Sequence, residues 1–138
     1  METREKGQLG TVYFPLSFAA LIWVLWDHPH LMVASLMPMT WGDALAAVVG
    51  QRIGQRRYSV AGSTRSLEGS VAMFLVSWVA TLVALVLLAP GPVDPATAMG
   101  AAATTALGAV LVEAFSPWGI DNLTVPVISA VVLVLMAG

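Results

Sequence analysis

Long apolar stretches separated by short polar joints make up nearly all of this chain. Five stretches stand out: residues 11–26, 31–50, 71–89, 96–115 and 123–136. The third, VAMFLVSWVATLVALVLLA, has the length and uniformity of a membrane-crossing helix. The first is short for a full span and has Pro15 in its first turns, where a helix tolerates proline. Pro38 interrupts the second and predicts a kink or break just before Trp41-Gly42-Asp43. The fourth is rich in Ala, Gly and Thr, and its Gly100, Thr104, Gly108 spacing reads as a helix-packing stripe. The fifth has Pro126 near its start. The joints Asp27-His28-Pro29-His30, Pro90 to Pro95, and Ser116 to Asn122 carry turn chemistry. The expected architecture is all-α: a polytopic membrane helical bundle of about five transmembrane or partly embedded helices, forming one domain over residues 1–138.

Composition explains why lipid must be the main solvent. Only 10% of the residues are charged and 58% are hydrophobic, whereas a soluble domain carries about 25% charged residues. Such a chain cannot cover its surface with polar groups. It has no cysteine, which excludes disulfides, thiolate metal sites and thiol redox chemistry. The start, METREKGQLG, is mixed in charge and is not followed by a cleavage pattern, so it does not read as a secretory leader.

The charges are unevenly placed. If the five segments alternate, Arg4, Lys6, Arg52, Arg56, Arg57 and Arg65 all fall on one side, and the other side has no Lys or Arg. Cytoplasmic loops carry the basic excess, so that side is expected in the cytoplasm. The acids Glu5, Asp43, Glu68, Glu113 and Asp121 lie on or near the same face.

Asp43 is the first candidate for chemistry. A carboxylate in an apolar helix costs roughly 2.5–3.5 kcal/mol on insertion scales, so it usually faces a partner or a water-filled site. It reads as a metal ligand or general base, or as a structural group satisfied by Trp41, an amide or an arginine. The loop arginines Arg52, Arg56 and Arg57 are accounted for by orientation and by attraction to anionic headgroups. Arg65 is less easily explained. Arg65-Ser66-Leu67-Glu68-Gly69-Ser70 places a cation, a hydroxyl and a glycine at the start of a span, where Ser66 or Ser70 could cap the helix and free amides could hold an anion. No Walker loop is present. Glu113, Asp121 and Asn122 could add oxygen ligands for Mg²⁺, which takes one or two carboxylates plus substrate phosphates; an N-cap and turn is the simpler role for the last two. Asp27, His28 and His30 read as a polar turn on the opposite face rather than a metal cluster.

The blocks Gly42-Asp43-Ala44-Leu45-Ala46, Ser66-Leu67-Glu68-Gly69-Ser70, Glu113-Ala114-Phe115-Ser116-Pro117 and Gly119 to Pro126 resemble the CTP-dependent polyprenol kinases. This family includes phytol, farnesol and dolichol kinases and is distantly similar to phosphatidate cytidylyltransferases. The segment from Glu5 to Phe14 also resembles the family's entrance to its catalytic half. The resemblance implies an integral, multi-pass kinase that transfers phosphate from CTP to a membrane-embedded prenol at the cytoplasmic face. It implies Asp43, Asp121 and Glu113 as catalytic residues, with Asp43 and Asp121 holding Mg²⁺. Arg65, Ser66, Glu68, Gly69, Lys6 and Asn122 would bind nucleotide or phosphate. The implied partners are CTP, a prenol and membrane lipids, with no nucleic acid; a homo-oligomer is compatible with them. Arg65 replaces the lysine usual in the family, and the chain is expected to lack the family's upstream helices. Cytidylyl transfer to a phosphorylated lipid, or a non-enzymatic transport or assembly subunit, are the alternatives.

Overall fold

The computed structural model describes the backbone of residues 2–60, 63–115 and 121–137, and the side chains of residues 11–59, 65–115 and 123–137. The fold is an all-α bundle with one small β-ribbon. Helix α1 spans Glu2–Val24 and α2 spans Pro29–Met37. A π-helical turn, Pro38–Asp43, leads into α3, Ala44–Ile53. Strands β1, Arg57–Val60, and β2, Ser63–Ser66, precede α4, Leu67–Leu88. Helices α5, Pro95–Ala114, and α6, Asp121–Ala137, complete the chain. Among the described residues three helices are long and apolar enough to cross a membrane: the run Pro29–Ile53, then Leu67–Leu88 and Pro95–Ala114. Shorter apolar helices cover Thr11–Val24 and Leu123–Ala137.

Helices α2, α4, α5 and α6 form a four-cornered bundle in which each packs on two neighbours, and α1 lies outside against α6. The core has two apolar clusters. One contains Leu21, Leu25, Leu31, Ala34, Leu85, Ala101 and Leu133. The other, toward the polar end, contains Met39, Ala46, Met73, Ala109 and Val125. Between them every corner helix contributes a fully buried hydroxyl: Ser35, Ser77 and Thr81, Thr105, and Ser129. Ser35 and Thr105 donate to carbonyls of their own helices, at 2.6 and 2.7 Å. The outward faces are apolar as well. Val71, Leu75, Val79 and Val83 along α4, and Trp23 and Trp26 at the far end of α1, are exposed, as lipid-facing residues should be.

Two sequence expectations are refined. The irregularity expected at Pro38, a kink or a break, is a π-helical turn over Pro38–Asp43, not a break. The helix continues through proline by widening into a π-turn, because proline has no N–H to donate to the preceding turn. The small-residue stripe on α5 also lies elsewhere. Thr104 is exposed and a side chain at Gly100 would meet open space, although Gly108 does approach Ile128 of α6. The close-packed small positions are Ala98, Ala101, Ala102, Thr105, Ala106 and Ala109, offset around the helix from the glycines.

The tightest approach is between α3 with its π-turn and α4. A Cβ on Gly42 would collide with the Ser77 hydroxyl and sit 3.3 Å from the Met73 carbonyl oxygen. One on Gly69 would meet the Ala46 carbonyl oxygen at 3.0 Å. Gly42, Ala46 and Gly50, four residues apart, thus form the small face that lets the two backbones touch. Gly42→Ala is expected to lower stability by roughly 1–3 kcal/mol, the usual cost of overpacking. Thermal unfolding in detergent checks this, and an unchanged midpoint would contradict the close approach.

Candidate functional site

The site begins at the start of α4. Ser66 has extended backbone, and its hydroxyl accepts the Gly69 N–H at 3.0 Å, making Ser66 the N-cap. Such a cap contributes about 1 kcal/mol. The cap is anchored from both sides. The Leu67 N–H donates to the Arg56 carbonyl oxygen at 2.7 Å, and the Tyr58 and Ser70 hydroxyls lie 2.6 Å apart. The stretch read from sequence as a loop is therefore an antiparallel ribbon, with Arg57 opposite Ser66 and Tyr58 opposite Arg65. It is tied down onto the first turn of α4.

The ribbon, α3, the start of α4 and the end of α5 enclose a cleft of about 170 Å³. Its walls include Asp43, Arg65, Ser66, Gly69 and Glu113, which sequence reasoning had proposed, and also Gln51, Arg57 and Ser70, which it had not. The π-turn brings Asp43 here. Gly42 takes the position against α4, and the next residue, Asp43, lines the cleft. Among the described residues the Asp43 carboxylate has no hydrogen-bond or ion-pair partner and caps no helix. Glu113, by contrast, is buried and accepts a hydrogen bond from Arg65 Nη1 at 2.9 Å. This pair joins residues 48 apart in sequence and locks the ribbon to the end of α5. Arg65 Nε is buried without a partner among the described residues.

Glu68 lies outside this cleft. Its carboxylate accepts the Arg56 N–H, with both oxygens at 3.3 Å. With Arg56 and Leu75 it lines a separate groove. Residues one and two places along a helix point in different directions, so Glu68 cannot share the cleft face with Ser66 and Ser70. Asp121 is the first residue of α6 and Lys6 lies in α1, but the side chains of Lys6, Asp121 and Asn122 fall outside the described residues. His28 precedes α2 and His30 lies in its first turn, with rings 6.2 Å apart, and neither lines the cleft. Among the described residues no three His, Cys, Asp or Glu side chains are grouped to hold a metal ion. A cation in the cleft would therefore rest on the Asp43 carboxylate together with oxygens of a bound phosphate. This donor set suits Mg²⁺, which binds through one or two carboxylates plus substrate phosphates.

The chain is 37% identical over 96% of its length to a phytol kinase of Synechocystis sp.. Along nearly its whole length the chain is thus similar to phytol kinases. It is also 30% identical over 98% of its length to a probable chloroplastic phytol kinase of Triticum aestivum. With a probable chloroplastic phytol kinase of Zea mays it shares 28% identity over 96%. The matched region spans about half of these phytol kinases: 56%, 46% and 45% of their lengths, respectively. No family model and no solved structure matches the chain. This similarity to phytol kinases agrees with the resemblance carried by the Asp43, Ser66–Ser70 and Glu113 blocks.

Proposed function

We propose that this chain carries the catalytic half of a membrane kinase that moves the γ-phosphoryl group of CTP to a prenol such as phytol, geranylgeraniol or farnesol. The Asp43 carboxylate, without a partner among the described residues and set in a cleft lined by two arginines, carries this reading. Phosphoryl transfer requires positioning and charge neutralisation more than covalent chemistry from the protein. Arg65, the Ser66 hydroxyl and the amides at the start of α4 would hold phosphate oxygens. The Glu113 carboxylate would keep Arg65 extended into the cleft. The prenol chain would stay in the bilayer with its hydroxyl at the cleft mouth. The hydroxyl oxygen attacks the γ-phosphorus, the bond to the β-phosphate oxygen breaks, CDP leaves, and whichever of Asp43 and Asp121 does not hold the cation accepts the alcohol proton. Bound Mg²⁺, held by Asp43 or Asp121 together with phosphate oxygens, would supply charge neutralisation. Lys6 and Asn122 remain proposed phosphate contacts.

Prenol-dependent release of CDP from CTP tests this reading; release of pyrophosphate instead would establish cytidylyl transfer.

The reading also places the cleft on the cytoplasmic side of a multi-pass protein, supported by the six basic residues grouped on one side. Single cysteines at Ser59→Cys and Val93→Cys are expected to react with an impermeant reagent from opposite sides of the membrane. Labelling of both from one side would overturn the alternating arrangement.

A further inference from the structure

Four arginines lie from the last turn of α3 to the start of α4, and simple charge-based orientation treats Arg52, Arg56 and Arg57 alike. The fold separates them. Arg56 borders the groove beside Glu68, while Arg57 lines the cleft that holds Asp43 and Arg65. Arg52 ends α3 and lines neither.

We propose that Arg57 is a second anion-binding residue of the cleft, acting with Arg65 on adjacent phosphates of one polyphosphate. This rests on the kinase reading above and adds a residue to it. Three observations carry the inference. Arg57 stands directly across the ribbon from Ser66, the cap of a 22-residue helix, so its strand position is fixed beside the positive end of α4. Its guanidinium has no acidic partner among the described residues, whereas Arg65 already gives Nη1 to Glu113. The ribbon bearing both arginines is tied to α4 by Tyr58 and Ser70 and by the Leu67 N–H. An exposed arginine that lines a polar cleft and has no carboxylate partner among the described residues is suited to bidentate phosphate binding. Two arginines lining one cleft suit a chain of phosphates better than a single one.

The test measures binding of inorganic tripolyphosphate and of orthophosphate to the full chain in detergent, alongside CTP-dependent kinase turnover. Wild-type protein is expected to bind tripolyphosphate more tightly than orthophosphate. Arg57→Ala is expected to weaken tripolyphosphate about tenfold or more, the size of one lost charge-assisted contact, and to raise the KM for CTP with little change in kcat. Arg57→Lys should recover part of the loss, while Arg52→Ala should bind like wild type. Equal weakening by Arg52→Ala would reduce the effect to general surface charge and overturn the proposal. So would an Arg57→Ala protein with wild-type affinity, or wild-type protein that binds no tripolyphosphate. If binding behaves as expected but no prenol is phosphorylated, the kinase reading fails and the anion site stands.

Discussion

Asp43→Asn is expected to leave the bundle folded and to reduce phosphoryl transfer roughly 10²–10⁴-fold, the range associated with loss of a general base. The side chain is half-buried and has no partner among the described residues, so the nearly isosteric amide breaks no bond that holds the fold together. Removing a charge that is followed directly by the apolar run Ala44–Gly50 also relieves some desolvation cost. The amide can neither accept the alcohol proton nor balance the charge of Mg²⁺. Turnover and thermal midpoint should therefore separate: the first collapses and the second stays or rises. A folded variant with near wild-type turnover would remove Asp43 from the chemistry. A variant that unfolds would make the carboxylate structural.

The second large effect concerns the pair between Arg65 and Glu113. Glu113 is only 5% exposed at its side chain, and Arg65 is 29% exposed. Breaking a well-buried pair by deleting one member costs about 3–5 kcal/mol. The exposure of Arg65 brings the expectation for Arg65→Ala to about 2 kcal/mol, with a raised KM for nucleotide as well. The two losses can be told apart. Adding Glu113→Gln to Arg65→Ala removes the buried negative charge and should return much of the stability without restoring nucleotide affinity. Arg65→Lys should keep both, since a lysine ammonium can also reach the carboxylate and a phosphate. Full recovery of nucleotide affinity in the double variant would show that Arg65 acts only as a brace.

The spans were legible because lipid-facing helices are apolar on every side, and a run such as 71–89 cannot be mistaken for a loop. Asp43 was legible for the opposite reason: a lone carboxylate in such surroundings needs an explanation. The ribbon was not. Arg57–Val60 and Ser63–Ser66 are four-residue strands of mixed polarity, held by pairing with each other and by the Leu67 N–H rather than by an alternating apolar face. Without the ribbon's register, Arg57 could not be distinguished from Arg52, nor Glu68 separated from Ser66. The pairing of Arg65 with Glu113 was equally hidden, because charge proximity across 48 residues follows from how α4 and α5 pack. The Gly42, Ala46, Gly50 spacing did lie in the sequence and marks the real close approach, while the analogous spacing on α5 fell largely on an open face.

Transfer of label from γ-³²P-CTP to phytol or geranylgeraniol by the purified chain in liposomes tests the central claim most directly. The account predicts a labelled prenyl phosphate that forms only with prenol present and is lost in Asp43→Asn. Protein that is folded by its thermal transition, binds tripolyphosphate and yet labels no prenol would contradict it.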